Sequence, residues 1–189
     1  LVGSEMCIRD RYWMVRMIEG GEDPLFIARR MVIFAAEDVG IADPQALQVA
    51  VAAKDAFHFV GMPEGRIPMT QAAVYLATAP KSNASYRALV DTTRDVREQG
   101  ALPTPLHLRN APTGLMKSLG YGANYRYPHD SPGHVTEQEY LPPELKDRRY
   151  YQPSDEGFEK IIRERLKSWD TKKHRKPPLS LIHISEPTR

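Results

Sequence analysis

Residues 23–61 read DPLFIARRMVIFAAEDVGIADPQALQVAVAAKDAFHFVG, and this stretch decides the fold. It spells two helices in succession. Asp23-Pro24 is a start signal: an acidic side chain that accepts from the free N–H groups of a first turn, then a proline where no N–H is needed. Leu25, Ala28, Met31, Val32 and Ala35 follow with a helical period. Gly40 stands where a left-handed residue closes a helix. Asp43-Pro44 then repeats the start signal, and an alanine-rich run ends at Gly61. Two helices joined by so short a link form an antiparallel hairpin. The residues flanking the two Asp-Pro pairs differ, so the pair is not an internal repeat.

Outward from this hairpin the helical texture continues. Residues 12–19 end a helix closed by Gly20-Gly21. Residues 61–68 (GMPEGRIP) read as a loop on glycine and proline content. Residues 69–79 form a third apolar helix stopped by Pro80. Ser82 or Asn83 caps a fourth, which runs to Gln99 and closes at Gly100. In that helix Tyr86, Leu89, Val90, Thr93 and Val96 are expected to be buried, and Asp91, Arg94, Asp95, Arg97 and Glu98 to be wet. Faces rich in alanine (Ala46, Ala50 and Ala53; Ala72 and Ala73) allow close helix approach, in a core or at a subunit seam.

From Ala101 the pattern changes. ALPTPLHLRNAPTG (101–114) carries too much proline for regular helix. A short helix fits 114–119, and GYGANYRYPHDSPGH (120–134) is a long aromatic loop. Residues 135–141 and 149–152 have the texture of short strands, so a small β-hairpin is one reading of this region. Ser154, Asp155 and Glu156 open a last helix whose stripe is Phe158, Ile161, Ile162, Leu166 and Trp169. The expected fold class is mainly α: a helical bundle or array with a long loop region.

The chain has 189 residues, 41% hydrophobic and 26% charged, as expected of one globular domain. No apolar run reaches the ~18–20 residues of a membrane-spanning helix, and no membrane partner is expected. The ends, LVGSEMCIRDR and LSLIHISEPTR, resemble translated sequencing-adapter sequence. Residues 1–11 and 179–189 are therefore set aside from fold reasoning. The sole cysteine, Cys7, lies in the first of these ends, so neither a disulfide nor a thiolate metal site is expected. Both ends are charge-neutral, so the net charge of +2 belongs to residues 12–178. Lys172, Lys173, Arg175 and Lys176 supply four positive charges, which leaves residues 12–170 slightly acidic.

Chemical motifs are mostly missing. There is no G-x-x-x-x-G-K-[ST], no G-x-S-x-G and no H-E-x-x-H. His129, Asp130 and His134 match no standard metal-ligand spacing and are expected on a surface loop. His58 and His107 stand alone and read as structural. Glu37-Asp38 is more informative, because a helix C-terminus disfavours two acids. A cationic partner is expected there, with Arg109 of the HLRN segment the first candidate. The expected polar or interface set is Glu37, Asp38, His107, Arg109, Asn110, Tyr121, Tyr125, Arg126 and Tyr127. Aromatics interleaved with a cation can stack nucleic-acid bases, so Arg126 joins Lys172, Lys173, Arg175 and Lys176 as a DNA-contact candidate. No catalytic, cofactor or metal residue is expected. A stand-alone enzyme would need a site built from Glu37, Asp38, His107 and Arg109, which contains no nucleophile–base pair.

The stretches 23–53, APKSNASY (79–86), HLRNAPTGLMKSLGYGANYRYPHD (107–130) and YYQPSDEGFE (150–159) carry a resemblance. The chain resembles the family of replication-associated recombination protein A, bacterial relatives of the Werner-helicase-interacting AAA+ ATPase. The resemblance spans residues 12–170 and implies a division of labour. An N-terminal ATPase module would bind ATP and Mg, and its Walker motifs, sensors and arginine finger have no counterpart here. Residues 12–22 would end the segment joining that module's lid to the next domain. Residues 23–170 would be an all-helical C-terminal domain, resembling the clamp-loader collar and assembling a homotetramer; residues 171–178 would be a basic tail. The implied setting is the bacterial cytoplasm at the nucleoid, with DNA and single-stranded-DNA-binding protein as partners of the intact protein. The expectation is thus a non-catalytic assembly domain, the alternative being a nucleic-acid- or partner-binding module that uses the 121–127 loop and the basic tail. Residues 12–18 are expected to expose apolar surface.

Overall fold

The computed structural model describes residues 7–131 and 134–173. Their regular elements are α1 (Cys7–Glu19), α2 (Pro24–Phe34), α3 (Ala46–Val60), α4 (Arg66–Thr78), α5 (Ala84–Gln99), α6 (Gly114–Ser118) and α7 (Glu159–Lys173). No strand occurs among the described residues. The short strands expected at 135–141 and 149–152 are therefore corrected to irregular chain, for which the prolines at 142, 143 and 153 give a reason. The mainly α expectation holds.

The chain divides into two compact units, one holding Leu1–Pro103 with Asp147–Glu164 and the other Thr104–Lys146 with the chain from Arg165. In the first unit α3 packs on α2 and α4, and α1 packs on α4. One core cluster joins Met14 and Ile18 of α1, Ile27 and Ala28 of α2, Phe57 of α3 and Met69 of α4. A second joins Ala35, Val39, Ala46, Ala50 and Leu76. The alanines of α3 thus serve an internal core. Their small side chains let the helices approach closely, so Met69 and Val39 are fully enclosed. On α1, Tyr12, Trp13 and Met17 are exposed as expected, but Met14 and Ile18 are buried.

The start and stop signals act locally. Asp23 accepts from the Leu25 N–H at 2.9 Å, and Asp43 from the Gln45 N–H at 3.0 Å. The end of α2 is less regular than its sequence suggests. It widens into a π-helical turn, Ala35–Val39, followed by a 3₁₀ turn, Gly40–Ala42. Gly40 has φ +55, and a Cβ there would lie 2.6 Å from the Ser82 carbonyl oxygen. Helix α4 begins at Arg66, earlier than expected, with Pro68 in its first turn where the missing N–H costs nothing.

Helix α5 overturns a sequence expectation. Asp95, expected in water, is 1% exposed. Tyr86, Leu89, Val90 and Val96, expected inside, are 44%, 64%, 45% and 60% exposed. The body-facing side carries Ala84 and Asp95, with Ala88 and Thr92 half-buried between them. Two tethers set that orientation: Ser82 at the helix start and the Arg148 ion pair to Asp95. Helix α7 shows a smaller version of the same effect. Ile161 and Trp169 of its expected apolar stripe are exposed, while Glu159 is buried.

Candidate functional site

The first unit is organised around one corner of the chain. The Ser82 N–H donates to the Asp38 carbonyl at 2.8 Å, and the Phe158 N–H to the Ala42 carbonyl at 2.7 Å. Glu159, in the first turn of α7, is 0% exposed and lies at the centre of this corner. Its carboxylate accepts from the Ser82 hydroxyl at 2.6 Å, the Ser154 N–H at 2.7 Å and the Tyr151 hydroxyl at 2.8 Å. Burial disfavours the charged form, but the hydrogen bonds from Ser82, Ser154 and Tyr151 outweigh it and hold the carboxyl below its ordinary value. The positive pole of α7 also favours the anion. Tyr151 is pushed above its ordinary value by burial and by its bond to the Glu159 anion.

Asp95 is a second buried acid. It pairs with Arg148 at 2.8 Å, and its Oδ2 atom is buried without a hydrogen-bond partner. Burial raises the Tyr150 phenol, and the nearby Asp95 carboxylate raises it further. Sequence reasoning missed both acids, though each left a signal. Glu159 shares the helical face of Ile162 and Leu166, and Asp95 continues the small-residue face of Ala84, Ala88 and Thr92. The Glu159 carboxylate is held by three neutral donors, whereas Asp95 is held at one oxygen by the Arg148 guanidinium.

Glu37 and Asp38 lie in the π-helical turn, half-buried. With Trp13, Phe26, Arg30 and Ile33 they line an open cavity of about 500 Å³. Arg109, the expected partner of these acids, is otherwise engaged in the second unit. Its Nε donates to the Thr104 carbonyl at 2.7 Å, its Nη1 to the Tyr121 hydroxyl at 3.1 Å, and its guanidinium lies 5.1 Å from the Tyr121 ring centre. His107 Nε2 donates to the Glu139 carbonyl at 2.8 Å, and the Arg126 N–H to Gln138 Oε1 at 2.8 Å. These bonds fold the proline-rich segment onto itself.

Asn110 is exposed, as are Tyr125, Arg126 and Tyr127. The Tyr127, His129 and His134 rings follow one another at 5.1 and 4.8 Å. No cluster of three His, Cys, Asp or Glu side chains suited to a metal ion occurs among the described residues. Lys172 and Lys173 fall in the last turn of α7, while Arg175 and Lys176, like residues 179–189, lie outside the described residues. No helix among the described residues is long and apolar enough to cross a membrane.

The class these features define is a helical module whose buried polar groups hold its own chain together and whose α5 keeps an apolar face uncovered. Residues 11–170 match the family model described as MgsA AAA+ ATPase C terminal. The chain is 51% identical over 156 residues to replication-associated recombination protein A of Coxiella burnetii, covering 82% of this chain and 36% of that protein. It is 48% identical over 169 residues to the Escherichia coli K12 protein of the same name, covering 89% and 38%. It is also 48% identical over 143 residues to ATPase WRNIP1 of Dictyostelium discoideum, covering 75% and 16%. The chain belongs to the MgsA AAA+ ATPase C-terminal family. It spans little more than a third of the length of the bacterial relatives named here.

Proposed function

We propose that this chain is the non-catalytic, self-associating C-terminal domain of an AAA+ ATPase that works in DNA replication, recombination and repair at stalled forks. The observation that carries the reading is the uncovered face of α5, where Leu89 and Val96 are 64% and 60% exposed. A contiguous apolar face held out in water costs free energy until another surface covers it. The family membership and the names of the relatives support the AAA+ and replication setting. Homotetramer assembly on a collar-like helical domain belongs to this reading. ATP and Mg would be held by an N-terminal module, and DNA and single-stranded-DNA-binding protein met by the intact protein at the nucleoid. The test is the mass of the full chain by light scattering after size exclusion, over a dilution series. A multi-chain mass, with four chains the expected count, supports the reading; a single-chain mass at every concentration refutes it.

The second reading, direct nucleic-acid contact, is favoured by one observation: Tyr125, Arg126 and Tyr127 are consecutive in pattern and all exposed. Base stacking with phosphate contact would give binding to single-stranded DNA that weakens steeply with salt. Binding lost in Tyr125→Ala and Tyr127→Ala would support it, and unchanged binding would remove it.

A further inference from the structure

The turn between α3 and α4 carries an uncovered apolar tip. Phe59, in the last turn of α3, is 92% exposed, and Val60, Met62 and Ile67 are exposed too. The tip is anchored from below. Phe57 is buried in the core, and the Gly61 N–H closes α3 on the Phe57 carbonyl at 2.8 Å. The cavity lined by Glu37 and Asp38 lies at the other end of α4. Ile67 stands in the first turn of α4, whereas Leu76 and Ala77, which line the cavity, stand in its last turn, about 14 Å further along. The Arg66–Glu19 ion pair joins the end of α1 to the start of α4, and α1 packs back along α4 to bring Trp13 to the cavity. The cavity walls include Trp13, Met17, Phe26 and Ile33, all of them exposed.

We infer that the Phe59 tip of one copy of this chain seats in the α1–α2–α4 cavity of a second copy. The inference rests on the self-association reading above and adds a contact apart from α5. Two complementarities name the occupant. The first is size. A cavity of roughly 150 Å³ holds a benzene ring, so one of about 500 Å³ admits the Phe59 ring with an aliphatic neighbour such as Val60. The second is charge. The cavity presents Glu37 and Asp38 together with Arg30, and the tip presents His58 and Glu64, both exposed. None of these side chains has an ion pair among the described residues. His58 would donate to Glu37 or Asp38, and Glu64 would accept from Arg30, so charges left single in one copy are matched between two. A tip and a cavity at opposite ends of α4 do not meet within one copy. The contact is head to tail, and repeats from copy to copy as a closed ring requires.

The test has two parts, both on the full chain. In light scattering over a dilution series, Phe59→Ser should raise the dissociation midpoint about tenfold or more, because one apolar ring is no longer buried. Phe59 is exposed, so an unchanged melting curve is expected and serves as the folding control. The second part reads the cavity itself through Trp13. A receiving chain with Phe59→Ser and Trp169→Phe keeps the cavity, has no tip and retains Trp13 as its one tryptophan. It is titrated with a chain carrying Trp13→Phe and Trp169→Phe, which has the tip and no tryptophan, and Trp13 is followed by acrylamide quenching. Quenching should fall as this titrant is added, and should stay level with a titrant that also carries Phe59→Ser. If the starting chain is a monomer throughout, the assembly reading falls and this inference with it. If it associates but Phe59→Ser leaves the midpoint unmoved, or the two titrants protect Trp13 equally, the tip-in-cavity contact is wrong while self-association stands.

Discussion

Ser82 donates its hydroxyl proton to the Glu159 carboxylate across 2.6 Å, and both side chains are buried although 77 residues separate them. This bond ties the entry to α5 to the first turn of α7. Ser82 also donates its N–H to the Asp38 carbonyl, so the end of α2 joins the same corner. The orientation of α5, and hence which of its faces meets water, depends on this arrangement.

Removing the acid should cost more than removing one donor. Glu159→Ala leaves the Ser82 and Tyr151 hydroxyls and the Ser154 N–H without their acceptor, and a loss of about 3 kcal/mol or more is expected. Ser82→Ala deletes one bond among three and should cost about 1–2 kcal/mol. Urea denaturation of both variants checks the order.

The same site sets an acid limit. The folded-state Glu159 carboxyl lies below its ordinary value. Its contribution is therefore complete above the unfolded value of about 4.3 and is lost as pH falls through the lower folded value. The urea midpoint should hold between about pH 7 and pH 5 as far as this group is concerned, and decline below about pH 4.3. Glu159→Gln should remove that part of the decline. A variant whose midpoint falls as steeply as that of the starting protein would refute the assignment.

Gly157 permits the close approach that places Glu159. Its φ is +48, and a Cβ there would lie 2.0 Å from the Ala42 carbonyl oxygen. Gly100 also has positive φ, at +68, but open space around it. Gly100→Ala should cost about 1 kcal/mol of backbone strain alone. Gly157→Ala should cost distinctly more, because the backbone at residues 42 and 157 must separate. Parallel thermal melts of the two variants check this.

The Asp95–Arg148 pair is asymmetric: the Asp95 side chain is 2% exposed and that of Arg148 50%. Arg148→Ala strands a buried carboxylate, whereas Asp95→Asn returns an already wet guanidinium to water. The arginine variant is expected to be the less stable of the two by about 1 kcal/mol or more. Equal stabilities by denaturant titration would mean that Asp95 is satisfied without Arg148.

Arg109→Ala bears on the second unit. Arg109 holds Thr104 and Tyr121, so its loss should loosen the 104–121 segment and cost about 1–2 kcal/mol. The change should show as faster amide exchange in that segment, with the protection of α2 unchanged. Altered protection at Glu37 and Asp38 instead would restore the partnership that the sequence suggests.

What the sequence by itself determined is local. Asp23-Pro24, Asp43-Pro44, Gly61 and Gly100 mark helix ends because caps and positive φ act within a few residues, and the helices appear beside them. The class of the fold and the family were legible for the same reason: they rest on contiguous stretches. The tertiary structure decided which way the helices face. An amphipathic stripe specifies two sides, but not which one meets the core. On α5 that choice was made by Arg148, 53 residues from Asp95, and by Glu159, 77 residues from Ser82. Such partners leave no local periodicity. A buried acid is tolerated only where distant donors converge on it, so Asp95 went inside with the small residues of α5 while its aliphatic stripe stayed in water.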